Sequence, residues 1–288
     1  MNAAELAVRW NLSRSGRDWR GECPACGYAD SFVLSQGRGD RAIGWCASCQ
    51  DGAAIAAAIR ATKGGWQASP PAPPAGNCEA DRARRRERAI ALWNGADPVP
   101  GTIAETYLHA RRTGHVATSP ALRFRGDTPH PNGGRLPALL ARIDGPAGDM
   151  IAVHRTFLRR DGSAKADLDP PKASLGGFAG GAIRLDPIGA ELVIGEGIES
   201  SASAGRFLGL PAWAAVGAGN LARFLVLPPE VTTVLIAADA DQAGECAARE
   251  AAVRWQREGR RVRIARPNRP GADFNDLLCE RTTKTPHA

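Results

Sequence analysis

Along the last third of the chain, apolar residues fall into short β-branched runs separated by longer stretches of mixed polarity. Residues 191–195 (ELVIG), 212–216, 233–238 (TVLIAA) and 261–265 read as strands. Residues 200–208, the stretch ending at Trp255, and 274–280 read as helices. Strand–helix alternation of this kind predicts a mostly parallel sheet with helices on both faces. Upstream the pattern differs. Residues 121–185 hold short strands, clearest at 139–143 and 151–157, with a glycine-rich, loop-like stretch over 159–181. Helical spacing is seen at 3–10, 53–61, 81–93 and 102–112; Thr102 is placed to cap the last of these, with Glu105 three residues on.

Between these regions, residues 64–76 contain Pro70, Pro71, Pro73 and Pro74, a composition that extends the chain and holds no helix. The expected organisation is a small module at 1–63, a linker at 64–80, a basic α+β segment at 81–189 and an α/β domain at 190–288, giving an α/β fold class overall.

The chain has 288 residues and a net charge of +7, with nearly all of its cations arginine. The excess is +2 over residues 1–65, +5 over 66–189 and 0 over 190–288. A basic middle beside an acid-containing end suits a protein that holds a polyanion near a metal site, since the guanidinium fork matches phosphate; a solvated basic surface is the alternative. No apolar run is long enough to span a bilayer, and the N-terminus lacks a basic-then-apolar leader, so a cytoplasmic location is expected.

Four of the seven cysteines form two knuckles, Cys23-Pro-Ala-Cys26 and Cys46-Ala-Ser-Cys49, with nineteen residues between them. This spacing predicts a zinc ion held by four thiolates in a zinc-ribbon-like module too small to fold without a staple. Trp19, Phe32 and Trp45, with Arg17, Arg20, Arg38 and Arg41, either stack on a single strand or merely pack on the hairpin. The arginines Arg82, Arg84, Arg85, Arg86 and Arg88 leave the same choice open.

Three acidic motifs follow predicted strands: Glu196 in GEGIE, Asp239 and Asp241 in DAD, and Asp273 in DFND. Ligands of open α/β sheets bind beyond the carboxyl ends of the strands. Carboxylates converging there repel one another and need a cation, and hard oxygen ligands select magnesium or manganese.

A Glu-Gly turn after one strand and Asp-x-Asp after another is the Toprim signature. The stretches VIGEGIESSASA (193–204), IAADADQAG (236–244) and GADFNDLL (271–278) resemble the Toprim of plasmid- and phage-borne (mobile-element) primases, as do the segments beginning at Lys172 and Gly180. The resemblance implies a DNA primase: a nucleotidyltransferase that makes short primers, RNA by expectation, on single-stranded DNA from nucleoside triphosphates. It implies magnesium or manganese on Glu196, Asp239 and Asp241, Asp273 as a further acid, and Glu196 as a possible general base. An N-terminal zinc module is the expected companion. Arg155, Lys165, Lys172 and Arg184 are the candidates for phosphate or nucleotide contact. In replicative bacterial primases a second acid follows the glutamate by four residues; here that position is Ser200 and the acid is Glu199. Its role stays open between metal ligand, supporting residue and surface charge.

A Toprim nuclease would use the same carboxylates with water. A zinc-containing single-strand-binding or loading factor would not use them at all. A topoisomerase needs a nucleophilic tyrosine, and only Tyr28 and Tyr107 are present. No G-x-x-x-x-G-K-[ST] loop occurs, so a helicase partner is expected to be a separate protein.

Overall fold

The computed structural model describes residues 2–15, 17–25, 27, 32–37, 41–46, 52–63 and 76–283. It divides into two compact units, Met1–Pro74 and Ala75–Ala288.

In the first unit, α1 (Ala3–Arg9) starts at Asn2. The Asn2 side chain accepts from the Glu5 N–H while the Glu5 carboxylate accepts from the Asn2 N–H, so two donors at the helix start are satisfied reciprocally. Strands β1 (Ser13–Ser15), β2 (Asp18–Gly21), β3 (Phe32–Gln36) and β4 (Ala42–Cys46) form an antiparallel sheet in that order, followed by α2 (Gly52–Lys63). Leu6, Phe32, Leu34 and Ile55 make the core, together with the buried thiols of Cys23 and Cys46. Gly44 is needed on β4 because a Cβ there would lie 2.7–2.8 Å from Ile55 and Phe32. Phe32, one of the aromatics weighed for stacking, is fully buried and belongs to this core; Trp45 stands half exposed, and Trp19 carries the Arg14 guanidinium 4.4 Å over its ring.

The second unit opens with α3 (Gly76–Asn94) and α4 (Ile103–Ala110). The start of α4 follows the expected chemistry: Thr102 Oγ accepts from the Ala104 N–H and the Glu105 carboxylate from the Gly101 N–H. An antiparallel sheet follows, β5 (Leu122–Pro129), β6 (Arg135–Asp144), β7 (Met150–Phe157) and β8 (Lys172–Gly176), paired in that order. Strand alternation gives this sheet two faces. Ala138, Leu140, Val153 and Phe157 pack on Ala89, Leu92 and Trp93 of α3. Leu139, Ala141, Ile143 and Ala152 turn the other way, toward Tyr107 and Leu108 of α4. Strand β8 lies inside the stretch expected to be loop. Its flanking prolines and glycines hide a five-residue strand whose pairing is supplied entirely by β7.

The remaining strands are β9 (Ile183–Arg184), β10 (Glu191–Gly195), β11 (Ala212–Ala214), β12 (Thr233–Ala237) and β13 (Arg261–Ala265). They form one sheet ordered β13-β12-β10-β11-β9, parallel except for β9. The antiparallel edge strand therefore comes from the chain before residue 190. Helix α5 (Ile198–Leu208) and α7 (Phe274–Thr283) cover one face, where Val193, Ala212 and Ala237 meet Ala204 and Phe274. Alternation sends the buried Leu192, Ile194, Val234 and Ile236 to the opposite face, against which α6 (Gln242–Arg257) lies with Ala248, Ala251 and Trp255 buried. Helix α5 also presents Ile198 and Ala202 to the β5–β8 sheet, so it is shared by both layers of this unit. Among the described residues, no helix is long and apolar enough to cross a membrane.

Candidate active site

Residues at the carboxyl ends of β10 and β12 start from neighbouring positions, because Gly195 pairs in register with Ala237. Glu196 leaves β10 one residue beyond this pair and Asp239 leaves β12 two residues beyond it. Gly195 is required there: a Cβ would sit 2.6 Å from Ser201 Oγ, which caps the turn by donating to the Gly197 carbonyl. The Glu196 carbonyl accepts from the Val216 N–H at 2.9 Å. Val216 has φ +72°, a left-handed conformation that costs a β-branched residue about 1–3 kcal/mol, so this backbone contact is held against strain.

The Asp239–Asp241 turn is fixed by the helix that follows. Asp241 caps α6, its Oδ1 accepting from the Gly244 N–H at 2.7 Å. Gly244 lets that first turn close on Asp239, since a Cβ would lie 2.7 Å from the Asp239 carbonyl oxygen. Ala240 N–H donates to the Ala272 carbonyl and Gly271 N–H to the Ala240 carbonyl, which brings Asp273 alongside. Asp273 caps α7 reciprocally with Asp276.

Asp239 is partly buried, and Ser200 Oγ donates to its Oδ1 at 3.2 Å. Burial, then the negative charges of Asp273 and Asp241, push its carboxyl up to about 6; the Ser200 hydroxyl and the Lys172 ammonium offset only part of this. Among the described residues, however, no three His, Cys, Asp or Glu side chains are close enough to hold a metal ion. The expected trio Glu196, Asp239 and Asp241 is therefore not a ready-made cage. What is present is a carboxylate with two acidic neighbours and too little local positive charge. Magnesium suits such a place, being held by one or two carboxylates while phosphate and water complete its shell.

Three residues beyond Glu196, the same helix start gives a different environment. Glu199 is buried, accepts a short hydrogen bond from the Tyr107 hydroxyl on Oε1, and pairs through that oxygen with Lys165 Nζ at 3.0 Å. Burial alone would raise its carboxyl; the Lys165 and Lys172 ammonium groups and the Tyr107 hydroxyl reverse this and hold it well below the usual range. Burial and the adjacent Glu199 charge drive the Tyr107 phenol far above its ordinary value, so it serves as a fixed donor and not as a nucleophile. His154 shares the β7–β8 face with Lys172 and Ser174, its Nδ1 3.0 Å from Ser174 Oγ. Burial first, then the nearby lysines, lower it to about 3, so it is neutral. Tyr107, Arg111, Ser163, Lys165, Leu168 and Pro171 line a cavity of about 580 Å³ beside this cluster.

Of the four basic residues expected to contact phosphate, Lys165 pairs with Glu199, and Lys172 lies near both Glu199 and Asp239. Arg155 and Arg184 do not present their charge there. Arg155 alternates onto the α3 face of its strand, nearly buried, donating to the Pro129 and Ala173 carbonyls. Arg184 stacks 4.7 Å from the Trp213 ring and donates to the Gly145 carbonyl. Both cations are engaged within the fold. Sequence reading gives no sign of His154, and names Ser200 only as the place of a missing acid and Tyr107 only as a nucleophile to be excluded; the partners of Ser200 and Tyr107 come from distant stretches of chain. For the zinc knuckles, Cys23 and Cys46 share one core, while Cys26 and Cys49 lie outside the described residues, as does the proline-rich stretch 64–75.

Residues 83–185 match a family described as a domain of unknown function (DUF7146), and residues 191–284 match the Toprim domain. No curated protein matches the chain. Among solved structures, the chain is similar to the Aquifex aeolicus primase (zinc-binding and RNA polymerase domains), with 15% identity over 97% of this chain and 80% of that one at a TM-score of 0.47. It is similar to the primase fragment of the bacteriophage T7 primase-helicase protein, with 16% identity over 91% and 95% at 0.41. The DnaG catalytic core gives 17% identity over 68% and 75% at 0.47. The acids at the ends of β10 and β12 thus lie in a Toprim domain, joined through β9 and α5 to a segment whose own family has no assigned function.

Proposed function

We propose that this chain is a DNA primase of the plasmid and phage type, joining nucleotides into a short primer, RNA by preference, on a single-stranded DNA template. The observation that carries the reading is Asp239. A Toprim carboxylate at a strand end, raised by burial and by two neighbouring acids, has the Lys172 ammonium near enough to offset part of that rise. Such a site draws a divalent cation to one side and phosphate oxygens to the other. Asp239 and Asp241 would hold magnesium or manganese, with Glu196 and Asp273 as further acids; the ion would neutralise charge on the nucleotide phosphates. Lys172 is exposed on β8 and makes no direct ion pair among the described residues, which leaves its ammonium for an incoming phosphate. Glu196 is the nearest carboxylate beyond β10 and is assigned the proton of the attacking hydroxyl. The front module is proposed to carry zinc on Cys23, Cys26, Cys46 and Cys49 and to help hold the template. Template, nucleoside triphosphates and a separate helicase are the proposed partners.

The test is incubation of the full chain with single-stranded DNA, nucleoside triphosphates and magnesium. Wild type should extend primers, and Asp239→Ala should lose about a thousandfold in rate with template binding retained. Normal primer synthesis by Asp239→Ala would remove the metal assignment. Cutting of a labelled strand without nucleotides, and no synthesis with them, would make the protein a nuclease.

A further inference from the structure

Glu199 follows Glu196 by one helical turn, yet its surroundings differ from those of every other acid near the strand ends. It is 6% exposed, whereas Asp239 and Asp273 are only partly buried and Asp241 is exposed. Its Oε1 takes both the Tyr107 hydroxyl and the Lys165 ammonium. Those partners come from α4 and from the 159–171 loop, so a single carboxylate ties three separate stretches together. A hydrated cation has no place among such contacts, and the carboxylate already has its counter-charge. Lys165, in turn, rides on a flexible four-carbon stem whose only direct ion-pair partner among the described residues is Glu199. Its ammonium stands at the wall of the 580 Å³ cavity that Tyr107 and Arg111 also line. The Arg111 Nε is buried there without a hydrogen-bond partner, which leaves that wall short of acceptors.

We propose that Glu199 is a positioning residue and not a metal ligand: it fixes Lys165, with Tyr107 as a brace, at the cavity wall between the basic segment and the acids. The consequence for the site is geometric. Through Glu199 the lysine ammonium is tied to the start of α5, the same turn that follows Glu196 and whose Ser200 hydroxyl donates to Asp239. The proposal concerns the site on which the nucleotidyl-transfer reading rests, but its first readout needs no reaction.

The chain has four lysines, Lys63, Lys165, Lys172 and Lys284, so amine acylation followed by mass spectrometry reads each separately. In the wild-type full chain, Lys165 should react more slowly than Lys172, because its ammonium is engaged. Glu199→Gln should speed Lys165 about tenfold with Lys63 unchanged, and Tyr107→Phe should speed it two- to threefold. An unchanged Lys165 rate in Glu199→Gln overturns the proposal. If all four lysines speed up together, Glu199→Gln has loosened the fold; Tyr107→Phe, which keeps charge and packing, then decides by whether the rise is confined to Lys165. In primer synthesis, Glu199→Gln should raise the nucleotide KM about fivefold and leave the half-saturating magnesium concentration alone. A shifted magnesium requirement with unaltered Lys165 reactivity would make Glu199 a ligand after all. Absence of synthesis even in wild type would sink the primase reading and leave the lysine result standing.

Discussion

Two carboxylates on neighbouring elements of one Toprim domain, Glu199 at the start of α5 and Asp239 after β12, respond to burial in opposite directions. Both lose solvent, and both would be driven toward the neutral form by that alone. Glu199 is met by Lys165, Lys172 and a phenol, and stays ionised. Asp239 is met by Asp273 and Asp241, and rises to about 6. Burial therefore does not distinguish a structural acid from a functional one here; the sign of the neighbours does. The acid with internal cations ties the fold together. The acid whose nearby cation, Lys172, is outweighed by two acids is left to recruit one from solution.

The comparison breaks most sharply in activity. Asp239→Asn, which keeps shape and removes charge, should lower primer synthesis about a thousandfold, measured as single-turnover nucleotide addition. Loss of the same size in Glu199→Gln, with a changed magnesium requirement, would erase the distinction. Stability should separate the two acids next. Glu199→Gln leaves Lys165 half-paired near a buried site, and urea unfolding should show a loss of about 2 kcal/mol, discounted because the lysine is partly exposed. Replacing Lys165 by Met in the same chain should recover part of it. Asp239→Asn should be neutral or stabilising, because it removes a repelled charge.

Acidity gives the smallest and most specific effect. The folded Asp239 keeps its proton up to about pH 6, while the unfolded side chain releases it near 3.8. Between those values the folded state binds the extra proton, so this group's contribution to stability declines as pH rises from about 4 to 6 and is flat above. Glu199, held below its ordinary 4.5, contributes stability that is present above that value and lost as pH falls below it. Unfolding curves at pH 4, 5, 6 and 7 should show the first slope in wild type and not in Asp239→Asn. At subsaturating magnesium, activity should fall as pH drops through 6, since the neutral acid no longer takes up the ion.

Much of this was legible in the chain. The strand Glu191–Gly195, the motif acids and their place at strand ends follow from β-branched runs and turn glycines, because those signals are local. Motif-like surroundings favoured Lys172 and Arg184 alike, yet Arg184 stacks on Trp213 while Lys172 lies near Asp239. What escaped depends on long-range pairing. Strand β8 is indistinguishable from loop until β7 supplies its partner. Arg155 and Lys172 are both basic residues on adjacent strands, and only the alternation of faces separates an engaged side chain from a presented one. Tyr107 meets Glu199 across ninety-two residues, a contact with no local trace.

The central claim is that Asp239 has too little internal counter-charge, Lys172 being outweighed by burial and two acids, and takes a cation from solution. Carboxyl carbon NMR of aspartate-labelled protein, with the Asp239 signal assigned by its loss in Asp239→Asn, tests this directly. Without divalent ions the signal should titrate near pH 6, and millimolar magnesium should move the midpoint down by at least about one unit, the tenfold preference that a bound cation confers on the charged form. A midpoint already near 4 without metal, or one that magnesium leaves in place, would contradict the account.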